Sequence, residues 1–245
     1  MTDLALSIQD ELTSAKDLDR AAEVQRGLSP KQLIDVSGYE VAGTCSPAHA
    51  VGGDFYDWYA VSGGAVFTLA DVMGKGIGSA IIAATVRAVL RAESRVGAVG
   101  KSVSSAAATL DEDLSGTGTF VTLFHARLNK ETGELRYIDA GHGLTLLVHA
   151  DGRTDRLATT SFPLGVEINE SWEEKSVILK PGDTLIAMSD GVLDIFDGTL
   201  TILDEIAALV RTSATAQAIV DEIAALAPRA FASDDVTALV LRRLA

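Results

Sequence analysis

The chain has 245 residues, 47% hydrophobic and 22% charged, enough apolar material for one large domain or two small ones. Its formal net charge of −14 and pI of about 4.6 argue against non-specific binding to nucleic acid or to an anionic membrane surface. A lone cysteine, Cys45, excludes an internal disulfide and a cysteine-built metal site.

In chain order, residues 4–28 come first. Ile8, Leu12, Ala15, Leu18, Ala22 and Gln25 recur at spacings of three and four, which predicts a helix ended by Gly27 and Ser29-Pro30. Such a stripe serves either docking on its own domain or a dimer seam or lever. The opening MTDLALSIQDELTSAKD lacks a basic n-region, and acids interrupt its apolar residues. Neither a signal peptide nor a membrane span is predicted, and the expected location is the cytoplasm.

From Gly38 the pattern changes to strands: YEVAGTCSPA, GGAVFTLADV, GTFVTLFHARLN, GELRYIDAG, LTLLVHA, EEKSVILK, DTLIAMSD and DVTALVLRRL. Between the first two, VGGDFYDWY (residues 51–59) reads as a turn after which aromatic residues resume a strand. Short turns such as Lys130-Glu131-Thr132-Gly133 and Lys180-Pro181-Gly182-Asp183 favour antiparallel pairing. Residues 78–94 form a strongly apolar helix expected to pack deeply, and 101–114, 201–212 and 214–227 are amphipathic helices. No linker rich in Pro or Ser and no repeat divides the chain. The expectation is one α+β domain over residues 31–245, two antiparallel sheets with helices outside, preceded by a helical arm over 1–30.

Acidic residues recur where strands meet loops. Asp54 follows VGG, Asp71 opens DVMGKG after AVFTLA, Asp190 opens DGVLD after TLIAMS, and Asp234 and Asp235 open the last strand. A single strand-end aspartate is most often a turn or helix cap. Several gathered at one end of a sandwich would repel and raise one another's pKa unless a cation joined them. Oxygen donors suit Mg²⁺ or Mn²⁺, and with His49, His125, His142 and His149 the only histidines, a zinc site is less favoured. Cys45 lies in a strand pattern and is expected to be a packed thiol, although His49 follows closely.

The ordered set VGGDFYDW, DVMGKG, FVTLF, YIDAGH, PLGV, PGDTLIAMSDGVLD and DDVTALVL resembles the metal-dependent serine/threonine phosphatases of the PP2C superfamily, and most closely its bacterial SpoIIE/RsbU-type branch. The likeness runs from about residue 20 to the C-terminus, and AAEVQRGLSP resembles the helix before the catalytic core of that branch. It implies a four-layer αββα sandwich and a site holding two Mn²⁺ or Mg²⁺ ions. Asp71 matches the bridging ligand, Val72 the position whose carbonyl ligates, and Asp190 and Asp234 the ligands of the other metal. Asp54 matches the acid beside the second metal. Asp235 adjoins Asp234, which is favoured as the ligand of the two, and Asp57 is read as a supporting or turn residue.

The implied reaction is hydrolysis of phosphoserine or phosphothreonine by a metal-bridging water, on a STAS-domain anti-anti-sigma factor in bacterial stress or sigma-factor signalling. Two departures stand out. Met73 occupies the position where eukaryotic-type relatives have a histidine acid, and their phosphate-binding arginine has no counterpart here. Lys75 can approach a phosphate or sit solvated at a helix start, and His142 is either a site or a turn residue. Relatives often carry a sensory domain before the phosphatase, so control is expected through the arm, by homodimerisation or an activating partner. The rival readings are a pseudophosphatase acting as a binding module, an acidic interaction domain, and a haloacid-dehalogenase-type phosphatase suggested by SDG. The last lacks its Asp-x-Asp motif.

Overall fold

The structure is a computed structural model that describes residues 2–30, 34, 36–95, 97–166, 172–195, 199–227 and 234–245, with side chains from residue 14 onward. Helix α1 (Thr2–Leu28) precedes strands β1 (Tyr39–Ser46), β2 (Phe55–Val61) and β3 (Gly64–Val72). Helices α2 (Ile77–Glu93) and α3 (Val99–Thr117) follow, then β4 (Val121–Asn129), β5 (Glu134–Ala140), β6 (Thr145–Val148), β7 (Thr154–Arg156), β8 (Lys175–Ile178) and β9 (Thr184–Met188). The chain closes with α4 (Gly191–Asp194), α5 (Ile202–Thr212), α6 (Ala216–Leu226) and β10 (Val236–Arg243). No helix among the described residues is long and apolar enough to cross a membrane.

Two five-stranded antiparallel sheets form, in the orders β1-β10-β9-β6-β7 and β2-β3-β4-β5-β8. Strand alternation sends side chains to opposite faces and so builds three apolar layers. Val41, Leu147, Leu185, Leu239 and Leu241 of the first sheet meet Phe67, Leu69, Phe124 and Leu135 of the second in the central core. Ile186, Met188, Ala238 and Val240, pointing the other way, pack under Ile206, Val210, Ile219 and Ile223 of α5 and α6. On the far side Ala70, Val72, Val121 and Leu123 pack under Val86 and Leu90 of α2 and Val103 and Leu110 of α3. This is the αββα sandwich that the resemblance implies.

Sequence and structure differ at three places. The short edge strand β7 has the sequence TDR, which carries no apolar alternation to reveal it. The short helix α4, begun by Asp190, was read as loop. Helix α2 buries only the stripe Ser79, Ala83, Val86 and Leu90, whereas Ile77 and Ile81 are 54% and 62% exposed, so it does not pack as deeply as its composition suggests.

Beside this apolar stripe, polar contacts also hold α2. Asp57, read from sequence as a supporting or turn residue, lies within β2 and is 2% exposed. Its carboxylate accepts two hydrogen bonds from Arg91, from Nε at 2.8 Å and from Nη2 at 2.7 Å, and pairs with Arg87 Nε at 3.4 Å. Further along, the His125 ring lies between the Thr68 hydroxyl, 2.8 Å from Nδ1, and the Ser94 hydroxyl just past the end of α2, 2.9 Å from Nε2. Burial pushes the His125 pKa down to about 4, so the ring stays neutral, and one nitrogen donates while the other accepts.

Removing a buried partner strands the charges it neutralised. Asp57→Ala is therefore expected to lower folding stability by about 2–4 kcal/mol in denaturant melts. An unchanged midpoint would show that the two arginines do not hold α2.

Candidate functional site

Topology gathers the acidic junctions at one edge of the sandwich. Phe55 pairs with Ala70, so Asp54 at the start of β2 and Asp71 near the end of β3 share an edge. Ala238 pairs with Met188 and Ser46 with Val236, which puts Asp190 after β9, Asp234 before β10 and the end of β1 together. The segment from Pro47 to Asp54 crosses from one sheet to the other at this edge.

Asp235 laces that crossing. Its carboxylate, 6% exposed, accepts from Ala48 N–H at 2.8 Å and from Asp54 N–H at 3.2 Å. A Cβ on Gly52 would lie 2.0 Å from Asp235 Oδ2, and one on Gly53 would lie 2.6 Å from the Val72 carbonyl oxygen. Neither glycine has a left-handed φ. They are required by close approach and not by unusual backbone angles. The adjacent Asp234 turns the other way: its Oδ1 accepts from Asp235 N–H at 2.9 Å, and its Oδ2 pairs with Lys75 Nζ at 3.0 Å. Ser189 fastens the last junction. Its hydroxyl donates to the Asp235 carbonyl at 3.0 Å and accepts from Thr237 N–H at 2.9 Å.

Mutual repulsion is visible in the carboxyl groups. Burial, then the charges of Asp190, Asp234 and Asp235, push Asp71 up to about 6, against the opposing effect of Asp54, whose carboxyl can share a proton with it. Burial and then the charge of Asp71 hold Asp54 well above the usual carboxylate range, and the nearby hydroxyls of Thr237 and Ser189 offset this only in part. Asp190 is raised by burial and by Asp234. Asp54 Oδ2 is buried without a hydrogen-bond partner. A buried oxygen lacking a donor, on one of three neighbouring acids that resist ionisation, suits a hard divalent cation. Among the described residues no three His, Cys, Asp or Glu side chains stand close enough to grip an ion as they are.

Of the remaining residues singled out by sequence, Cys45 borders the cluster, its thiol 3.8 Å from the Asp54 carbonyl oxygen. Burial and the charge of Asp54 push the Cys45 thiol up to about 12, so it is a packed, unreactive thiol in β1. His49 is exposed in the crossing segment. His142 belongs to a turn: its N–H donates to Asp139 at 2.9 Å, and its ring is held neutral by burial, with a pKa of about 4. Sequence reasoning missed Gln25 as a contact to the site. From α1 its amide donates to the Gly52 carbonyl at 2.7 Å and accepts from Gly52 N–H at 3.1 Å, two residues before Asp54. A polar residue at a seam position was the available signal.

Residues 62–244 match the family model described as Stage II sporulation protein E (SpoIIE). The chain is 27% identical over 206 residues to Protein IcfG of Synechocystis sp., covering 73% of this chain and 32% of that protein. It is 24% identical over 188 residues to the phosphoserine phosphatase RsbU of Bacillus subtilis, covering 76% and 56%. The chain thus spans about half or less of the length of these curated relatives. Among solved structures, the SiaA-PP2C domain of Pseudomonas aeruginosa superposes with a TM-score of 0.78 at 19% identity, over 95% of this chain and 98% of that one. The catalytic domain of the serine/threonine phosphatase PstP, solved with 2 manganese ions, superposes at 0.66 with 18% identity, over 84% and 99%. The fold is that of PP2C domains.

Repulsion within the cluster has a measurable consequence in chelator-treated protein. A carboxyl whose folded pKa of about 6 exceeds its unfolded value of 3.8 destabilises the fold fully above the folded pKa, and the penalty fades as pH falls from there toward the unfolded pKa. Asp71→Asn is expected to be more stable than wild type at pH 7.5 by about 1–2 kcal/mol, allowing for solvent screening, to keep about half of that advantage at about pH 5 and to lose most of it by about pH 4 in thermal melts. An advantage that did not change with pH would mean that Asp71 is not held against its neighbours' charge.

Proposed function

The chain belongs to the Stage II sporulation protein E (SpoIIE) family, and on that premise we propose that it is a cytoplasmic metal-dependent protein serine/threonine phosphatase acting in sigma-factor signalling. The observation that carries this reading is the convergence of Asp54, Asp71, Asp190 and Asp234 on one edge, with the first three carboxyls pushed toward protonation and the buried Asp54 Oδ2 without a donor.

In this reading Asp71, Asp190, Asp234 and Asp54, with the Val72 carbonyl, hold two Mg²⁺ or Mn²⁺ ions. Bound there, the ions would supply an activated water and neutralise charge on the phosphoryl oxygens. Asp235 stays outside the ligand set, because both its oxygens are committed to the backbone of the crossing segment. Its role is to position Asp54. Met73 offers no proton for the leaving oxygen, and His142 is buried in a turn, so neither serves as general acid.

A protein substrate fits the surroundings. Met73, Ile77 and Ile81 are exposed immediately after Asp71, giving the acidic edge an apolar flank that a small polar ester would not use. The substrate we propose is a phosphorylated STAS-domain anti-anti-sigma factor. Regulation enters through the arm. Residues 14–17 of α1 are exposed, Ala22 is buried, and the helix roofs a cavity of about 570 Å³ with Gln25, Arg87 and Asp54 in its wall. A homodimer or an activating partner that turned this helix would act on Gly52 through Gln25, and through Gly52 on Asp54.

Hydrolysis of p-nitrophenyl phosphate with and without Mn²⁺ tests the activity. Mn²⁺-dependent turnover is expected, falling in Asp71→Asn by more than about a hundredfold, beyond the loss typical of merely supporting residues. No turnover of this ester or of a phosphorylated STAS protein would instead favour a pseudophosphatase that works as a binding module. The arm is tested separately. Gln25→Ala removes two neutral hydrogen bonds and is expected to lower stability by about 1–2 kcal/mol while raising the Mn²⁺ needed for half-maximal activity. If neither changes, the arm does not act through Gly52.

A further inference from the structure

We propose that Lys75 is a displaceable counter-ion of the carboxylate cluster: its ammonium holds Asp234 when no divalent cation is seated, and must leave for one to bind. The inference rests on the metal-binding reading above.

Several observations point to it. Lys75 Nζ lies 3.0 Å from Asp234 Oδ2, the oxygen left over once Oδ1 has accepted the Asp235 N–H. Arg87, which lines the same cavity as Asp54, is committed elsewhere, paired like Arg91 to Asp57. Glycines with φ of +98° and +79°, Gly74 and Gly76, flank Lys75 and set the path of the loop that carries it.

Magnitude decides why the pair is temporary. The two side chains are 41% and 38% exposed, and an ion pair that open to solvent changes an equilibrium by no more than about fivefold. A divalent ion shared among several carboxylates binds far more firmly than one ammonium on a flexible stem. Lys75 can therefore relieve the cluster without locking it. The consequence is competition: each metal that takes Asp234 first displaces an ammonium and afterwards feels its positive charge nearby.

Calorimetric titration of the metal-free protein with Mn²⁺ alone tests this in wild type, Lys75→Met, Lys75→Arg and Asp71→Asn. Lys75→Met is expected to bind Mn²⁺ about three- to fivefold more tightly, and Lys75→Arg within about twofold of wild type, since arginine keeps the charge. A solvated lysine with no part in the site would leave the affinity unaltered. Equal or weaker binding by Lys75→Met, with wild-type binding that Asp71→Asn abolishes, overturns this inference and leaves the metal reading standing. Wild-type protein that takes up no Mn²⁺ at a site sensitive to Asp71→Asn overturns both.

Discussion

Repulsion among carboxylates is the constraint around which this molecule is organised. A fold gains nothing by bringing Asp54, Asp71, Asp190 and Asp234 to one edge, and the upward displacement of three of them shows the opposing force directly. Backbone hydrogen bonding overrules it. Asp71 is locked by pairing of β3 on both sides, and Asp190 and Asp234 flank two paired strands of the other sheet. Because the apolar layers are what hold those strands, the energy of the three cores is what keeps the charges near one another.

Neighbouring acids do different work, and their surroundings set the difference. Asp235 is buried and accepts two backbone N–H groups, so it acts as a strut between the sheets. Asp234, one residue earlier, is partly exposed and faces Asp71, Asp190 and Lys75. Asp57 answers two arginines and anchors α2, the helix that begins just beyond the DVMGKG loop. The close contacts at Gly52, Gly53 and Gly191 belong to the same arrangement, since a Cβ on Gly191 would lie 2.2 Å from the Asp235 carbonyl oxygen. Backbone this close to backbone and carboxylate leaves little slack, and a shift in the crossing segment must be felt at Asp54.

Much of this was legible in the sequence because apolar alternation reports strands directly. Eight strands, the two helix pairs and the two-sheet arrangement follow from period and turn residues, and the acidic junctions could be read as such. What could not be read depends on contacts between distant segments. The apolar composition of residues 78–94 suggests deep burial, yet among the described residues nothing covers Ile77 and Ile81, which are exposed. Asp57 looked like part of a turn because its arginine partners lie 30 and 34 residues away. Similarly, nothing local told Asp234 from Asp235, since the distinction lies in the N–H groups of Ala48 and Asp54 from another strand connection. β7 escaped because three polar residues at an edge carry no period.

The same geometry argues for a site that is assembled on demand. Its carboxylates are close enough to disturb one another but do not form a tight ligand cage. Met73 provides no acid, and the flank beside it is apolar. On the proposed reading, such a centre would depend on cations to draw the carboxylates inward, on a docked protein surface to place the phosphate, and on α1 to hold Gly52 in register through Gln25. Metal, substrate and helix would then act on the edge separately while the sandwich beneath it stays fixed, and activity would be set by these contacts.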